Sequence, residues 1–142
     1  MSNIINQGKK VIRTELEGLK KLYKSVDKNF ERAIFKLSNV KGKVVITGVG
    51  KSLNIASKIS STMTSTGTPS QCVDPTSMAH GDLGILRKND ALIIISNSGN
   101  SSELKEIVKY AKSQSILIIG ISSNPKSILL SSSDIKLVLR SI

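Results

Sequence analysis

Residues 91 to 103 read ALIIISNSGNSSE, an unbroken apolar run that passes directly into serine, asparagine and glycine. The run does not alternate apolar with polar residues. Unalternated aliphatic runs are typical of strands that are buried on both faces, as in a parallel sheet. The stretch therefore predicts a buried strand over 91–96 that ends in a polar turn and leads into a helix over 101–113.

Comparable apolar runs lie on both sides of this stretch: VVITG (44–48), SQCV (70–73), ILIIGIS (116–122) and IKLVL (135–139). Helix-length segments separate them at 51–66, 75–81 and 125–132. Strand–helix repetition of this kind predicts an α/β doubly wound fold, a three-layer sandwich around a five-stranded parallel sheet. In such a fold the carboxyl ends of the strands share one edge, which is where ligands usually bind.

The first 40 residues have a different pattern, that of a helical pair. Apolar side chains recur at spacings of three and four from residue 4 to about 38, with a break near Ser25 to Asp27, either of which could cap a second helix. Such a pair could cover a face of the sheet or pack against a second subunit. We therefore divide the chain into a helical lead-in, residues 1–40, and one globular unit, residues 41–142.

The bulk composition is that of an ordinary globular protein, with 39% hydrophobic and 22% charged residues in 142. The single cysteine, Cys72, has no intrachain disulfide partner and fits a reducing compartment. The start of the chain lacks the apolar core of a secretory signal, and no apolar run reaches the roughly 18 residues that a membrane span needs. We expect a cytoplasmic protein without a membrane partner.

The net charge of +11 raises the question of a polyanionic partner. The lysines are scattered from Lys9 to Lys136, without an arginine-rich arm. Two Tyr and two Phe leave little for bases to stack on. This distribution disfavours nucleic acid, and it favours a lysine-rich surface with a phosphorylated small molecule as the specific anion.

The first candidate site motif is GVGKS, which follows the first predicted strand. Gly48 and Gly50 allow a tight turn, and a helix begins near Lys51 and Ser52, so that its free N–H groups favour an anion. The motif is not a phosphate-binding P-loop of the Walker type, because Val45 occupies the position of its first glycine. The alternative is a glycine turn with a solvated lysine.

The second candidate motif, residues 96 to 103, is the stronger one. Hydroxyls, amides and a glycine at the end of a buried strand would form a hydrogen-bonding cup over a helix N-terminus. The candidate ligand-binding residues here are Ser96, Asn97, Ser98, Gly99, Ser101 and Ser102. Glu103 lies in the first turn of the next helix, where its alternative role is in a capping box with Asn100 as a possible cap.

His80, in DPTSMAHGDLG, is the only histidine. Imidazole titrates near neutral pH, so a position beside a phosphate site favours a role in proton transfer, although a lone histidine is more often structural. One His and one Cys without ligand spacing do not predict a metal site, and His80 is the only weak candidate for a metal ligand.

Taken together, GVGKS, STGTPS (65–70), AHGDLG (79–84) and the pattern of Ser96, Ser98, Gly99, Ser101 and Glu103 resemble a known family. From about Gly42 to Leu139 the sequence is similar to the SIS (sugar isomerase) domain of bacterial arabinose-5-phosphate isomerases, which is flavodoxin-like. The resemblance implies interconversion of D-arabinose 5-phosphate and D-ribulose 5-phosphate in Kdo biosynthesis, for lipopolysaccharide or capsule. It also implies assembly as a dimer or tetramer, with no organic cofactor.

The resemblance assigns roles to the candidate residues. Glu103 would be a general base or proton shuttle, Lys51 would stabilise charge, and His80 would assist ring opening or relay a proton. Gly48, Gly50, Ser52, Thr66 and the residues of the second motif would hold the phosphorylated pentose, as would His80.

The sequence departs from this family in two places. Leu53-Asn54 replaces the Gly-His that commonly follows GKS. The family also usually continues into a segment with a second histidine and then a pair of CBS domains, so we expect a shortened form of the domain. A non-catalytic sugar-phosphate-binding module, a hexulose-phosphate specificity and a basic nucleic-acid or scaffold protein remain as alternatives.

Overall fold

The computed structural model describes residues 2–139. The strands are β1 (Val44–Gly48), β2 (Ser70–Cys72), β3 (Ala91–Ile95), β4 (Leu117–Ser122) and β5 (Ile135–Val138). The helices are α1 (Ser2–Ser25), α2 (Lys28–Ser38), α3 (Lys51–Ser65), α4 (Pro75–Ala79), α5 (Glu103–Ser113) and α6 (Ile128–Ser132), with a 3-10 turn at Asp82–Ile85. Every predicted strand is present, and the helix-length segment predicted at 75–81 contains the shorter α4, which the 3-10 turn follows.

The five strands form one parallel sheet in the order β2-β1-β3-β4-β5. The register aligns Gly48 of β1 with Ile95 of β3, and Ile95 with Ile121 of β4. The chain moves outward from β1 to β2, then returns to place β3 on the other side of β1. This reversal is the topological switch point of a flavodoxin-like fold, and the doubly wound α/β prediction is confirmed.

Each face of the sheet is covered by helices, because the central strands are apolar on both sides. Val45, Leu92 and Ile118 face α4, α5 and α6. Val44, Ile93 and Ile119 face the layer that contains Ala33 of α2 and Ala56 of α3. The result is a three-layer sandwich with an aliphatic core, as the lack of tryptophan requires.

The two lead-in helices behave differently. Asp27 caps α2, its carboxylate accepting the N–H groups of Asn29 and Phe30, and Ala33 buries α2 against the sheet. In contrast, the apolar stripe of α1 lies in solvent, with Ile12 62% and Leu19 60% exposed. The lead-in therefore covers the sheet through α2 alone, and among residues 2–139 nothing covers the apolar face of α1.

Candidate functional site

The loops that follow β1 and β3 lie side by side at the carboxyl edge of the sheet, because these strands are hydrogen-bonded neighbours with their ends in register. The helices that follow them start on opposite faces: α5 packs with the layer of α4 and α6, and α3 packs with α2. A crevice between diverging chain paths is where ligands bind in folds of this type. The structure therefore brings the GVGKS and 96–103 motifs together.

The turn after β1 requires both of its glycines. A Cβ on Gly48 would lie 2.7 Å from the Ile95 carbonyl oxygen and 2.9 Å from Cβ of Ser52. Gly50 has φ 59° and ψ −122°, a conformation open almost only to glycine. These glycines let the backbone of the turn lie close against the end of β3.

Helix α3 starts at this turn, and its N-terminus has no side-chain cap. Its first residue, Lys51, is exposed, and Ser52 is half-buried in the first turn. The Ser52 and Leu53 N–H groups at this end donate to the carbonyls of Val49 and Gly50. The dipole of this 15-residue helix favours an anion here, and Lys51 adds a full positive charge.

The loop after β3 is built around its own hydrogen bonds. The hydroxyl of Ser96 is buried and accepts the Gly99 N–H at 3.0 Å. Gly99 has φ 67°, and a Cβ there would collide with the Ser127 hydroxyl and lie 2.9 Å from Oγ of Ser122. Ser96 and Gly99 therefore shape the loop from inside, while Asn97 and Ser98 are exposed at its surface.

Helix α5 begins at Glu103, directly after Ser102, and no side chain caps it. The Glu103 carboxylate accepts the Ser102 hydroxyl at 3.2 Å, and Asn100 Oδ1 accepts the Ile128 N–H instead of capping α5. The capping-box alternative for Glu103 is therefore not formed. Glu103 and Ser102 are exposed at the crevice edge, and Ser101 is half-buried.

His80 lies on a short element of its own, which follows β2. It follows α4, is exposed, and its N–H closes the helix on the carbonyls of Thr76 and Ser77. Met78 of α4 shares an apolar cluster with Leu104, the residue after Glu103. The segment that carries His80 is thus packed against the start of α5.

Thr66 is the one candidate that the structure places elsewhere. It ends α3, and its hydroxyl donates to the carbonyls of Thr62 and Met63. A helix of 15 residues is roughly 22 Å long, so Thr66 lies at the amino edge of the sheet, near the start of β2. Because its motif lies between a predicted helix and β2, the order of the predicted elements already indicated the amino edge for Thr66.

Sequence reasoning did not single out the segment between β4 and α6. Ser123 there, with Ser122 at the end of β4 and Ile128 at the start of α6, contacts the 96–103 loop through hydrogen bonds to Asn97 and Asn100. The signal was available, since ILIIGISSN is another apolar strand that passes into hydroxyl and amide residues.

Among residues 2–139, no cluster of three or more His, Cys, Asp or Glu side chains is arranged to hold a metal ion. Within the same range no helix has the length and apolarity needed to cross a bilayer. Burial, followed by the nearby Asp74 carboxylate, raises the pKa of the Cys72 thiol, which disfavours the thiolate form.

Residues 36–141 match the family model of the SIS domain, and the chain belongs to this family. The fold and the motifs at the switch point thus define the class of protein, which is an SIS-type α/β domain. Individual relatives indicate the branch within this class.

The chain is 46% identical, over 98% of its length, to the arabinose 5-phosphate isomerase KdsD of Francisella tularensis. It is 42% identical, over 93% of its length, to KdsD of Yersinia pestis. It covers 43% and 40% of these proteins, respectively, so it spans less than half the length of either relative.

A solved structure of E. coli CFT073 c3406 in complex with arabinose 5-phosphate superposes with a TM-score of 0.91 at 36% identity. The match covers 97% of this chain and 73% of that one. The five-stranded parallel fold is therefore that of a structure solved with the sugar phosphate bound.

Proposed function

We propose that this chain is a sugar-phosphate aldose–ketose isomerase that interconverts D-arabinose 5-phosphate and D-ribulose 5-phosphate. The observation that carries the proposal is the meeting of two helix N-termini without side-chain caps, those of α3 and α5, at the switch point. The first residue of each helix, Lys51 in α3 and Glu103 in α5, carries an exposed ionisable side chain. The similarity to KdsD proteins and to the c3406 complex supports the choice of substrate.

The reaction moves one proton between C1 and C2 of the open-chain sugar through an enediol. The Glu103 carboxylate takes the C2 proton of the aldose and returns it to C1, while the hydroxyl proton of O2 passes to O1, giving the ketose. Lys51 stabilises the negative charge that develops on the oxygens. The imidazole of His80 assists ring opening by moving a hydroxyl proton.

The phosphate and the sugar hydroxyls are held by the two turns. Ser52, Ser98, Ser101 and Ser102 supply hydroxyls at the crevice, with the exposed Asn97 amide beside them. Gly48, Gly50 and Gly99 let the backbone N–H groups approach the ligand, and Ser96 maintains the loop. This chemistry requires no organic cofactor. In the cell we assign the reaction to the cytoplasm and to Kdo formation for lipopolysaccharide or capsule.

Self-association is part of the proposal, and its support is α1. The stripe that includes Ile12, Leu16 and Leu19 is more than half exposed along a 24-residue helix. A second copy of the chain would bury it. We expect Leu19→Glu to reduce the molecular mass in sedimentation equilibrium to that of a monomer. Thr14→Glu, on the opposite face of α1, should leave the mass unchanged, and an unchanged mass in both variants would contradict this part of the proposal.

A non-catalytic sugar-phosphate-binding module is the second candidate. The observation that favours it is that the chain spans 43% of KdsD from Francisella tularensis. Both candidates predict saturable binding of arabinose 5-phosphate, whereas proton exchange at C2 is expected only of the isomerase.

The deciding experiment is incubation of the purified chain with ribulose 5-phosphate in D₂O, followed by NMR for deuterium at C2 of the arabinose 5-phosphate formed. Glu103→Gln is the catalytic variant, and Glu106→Gln, one turn further along α5 and also exposed, is its matched control. We expect exchange in the wild type and in Glu106→Gln, and a loss of about 100-fold or more in Glu103→Gln. Saturable binding with neither arabinose 5-phosphate formation nor exchange would establish the binding module instead.

A further inference from the structure

The peptide between Asn97 and Ser98 is fastened to the segment that follows β4. The Asn97 carbonyl oxygen accepts the Ser122 hydroxyl at 2.9 Å and the Ser123 N–H at 3.2 Å. The Ser123 hydroxyl lies 2.8 Å from the same carbonyl oxygen and 2.7 Å from Oδ1 of the Asn97 side chain. Ser123 therefore holds Asn97 through both its backbone and its side chain.

A second carbonyl of the loop also points toward the chain between β4 and α6 and is hydrogen-bonded there. The Gly99 carbonyl accepts the Leu129 N–H at 2.9 Å, at the start of α6. Two alternate peptides of the loop thus direct their carbonyls toward the chain between β4 and α6. The intervening Gly99 N–H is turned inward to the Ser96 hydroxyl.

The orientation of these two carbonyls determines the direction of the N–H groups in the same peptides, those of Ser98 and Asn100. In a trans peptide the C=O and the following N–H are directed oppositely, and residues 2–139 contain no cis peptide bond. The N–H groups of Ser98 and Asn100 therefore point away from the β4–α6 segment, the latter with a long contact of 3.4 Å to the Ser98 hydroxyl. Since β3 lies between β4 and β1 in the sheet, this is the side of the crevice and of the β1 turn.

We infer that Ser123 is a positioning residue for the anion site. It holds the peptide between Asn97 and Ser98 in the orientation that directs the Ser98 N–H into the crevice. The inference rests on the proposed function for the identity of the anion. Two N–H groups on one side of a loop with a left-handed residue, here Gly99, form a concavity that suits phosphate oxygens. Without the Ser123 hydroxyl the peptide keeps only the Ser122 hydroxyl and the Ser123 N–H as donors to its carbonyl oxygen, and it loses the contact to the Asn97 side chain. The peptide is then held less firmly, and the affinity for the anion falls.

Ser123 suits a test by substitution because it is only half-buried, whereas Ser122 is fully buried and structurally more costly to change. The variants are Ser123→Ala, which removes the hydroxyl, and Ser123→Thr, which retains it. The control is Ser113→Ala, at the far end of α5, where an exposed hydroxyl likewise donates to a backbone carbonyl.

The measurement is a titration of the ¹⁵N-labelled chain with inorganic phosphate and, separately, with arabinose 5-phosphate, monitored at the amides of Ser98 and Asn100. For Ser123→Ala we expect about tenfold weaker binding of both ligands and a displaced Ser98 amide resonance in the free protein. Ser123→Thr should restore the affinity to within about twofold, and Ser113→Ala should match the wild type. A thermal melt of each variant establishes that the chain remains folded.

The outcomes separate this inference from the proposed function. If the wild type binds phosphate but not arabinose 5-phosphate, the proposed substrate is wrong. The phosphate titrations would then still test the positioning role of Ser123. Equal affinities in the wild type and Ser123→Ala, with an unmoved Ser98 resonance, would overturn the positioning role. Failure of the wild type to bind either ligand would overturn both.

Discussion

The Lys43 ammonium lies 3.1 Å from Oδ2 of Asp90, joining the residues that immediately precede β1 and β3. Asp90 is 6% exposed and also accepts the backbone N–H groups of Lys43 at 2.9 Å and Arg87 at 3.0 Å. These contacts tie the amino ends of the two strands whose carboxyl ends carry the candidate site. The relative position of the two loops thus depends in part on a carboxylate at the opposite edge of the sheet.

We expect Asp90→Asn to destabilise the chain by about 2 kcal/mol, because an amide offers one acceptor oxygen where the carboxylate uses two. Asp134→Asn is the matched control, since its Oδ2 accepts a single backbone N–H, that of Ile118, and Asp134 is exposed. The free energies of unfolding follow from urea denaturation at neutral pH. Equal losses in the two variants would contradict a special role for Asp90.

The same carboxylate predicts an acid-dependent loss of stability. Burial raises the pKa of Asp90, but hydrogen bonds from the Lys43 and Arg87 N–H groups and the Lys43 ammonium outweigh it, so the pKa lies below its ordinary value. A lowered folded-state pKa contributes stability that is present above the unfolded pKa of about 3.9 and disappears as the pH falls through the folded one. The stability difference between the wild type and Asp90→Asn should therefore be constant from about pH 7 to 5 and shrink below about pH 4. A difference independent of pH would refute the assignment.

Much of the fold follows from sequence because its determinants are local. ALIII is apolar along its whole length and VVITG over its first three residues, which fits strands covered on both faces. Gly48 and Gly50 mark the turn that their conformations require. What the sequence did not indicate are directions in space. The buried orientation of the Ser96 hydroxyl depends on how Gly99 folds back over it.

Gly99→Ala tests whether the second loop depends on its left-handed residue. An alanine at φ 67° is strained, and its Cβ would lie 2.5 Å from Cβ of the fully buried Ser127. We expect a loss of roughly 2–4 kcal/mol in the free energy of unfolding. Gly84→Ala is the control, because a Cβ there meets nothing within 4 Å. Comparable denaturant midpoints for the two variants would show that the loop tolerates a side chain at Gly99.

Lys51→Gln and Lys58→Gln together test whether the start of α3 is an anion site or only part of a basic surface. Both lysines are exposed on the same helix, seven residues apart and thus on nearly the same face, with Lys58 about 10 Å farther from the crevice. At that separation salt screens most of the interaction of Lys58 with a bound phosphate, since the Debye length is about 8 Å at physiological ionic strength. We expect Lys51→Gln to weaken arabinose 5-phosphate binding about tenfold in isothermal titration calorimetry, and Lys58→Gln by less than about twofold. Equal small losses would mean that the net charge of the chain, and not the position of Lys51, attracts the ligand.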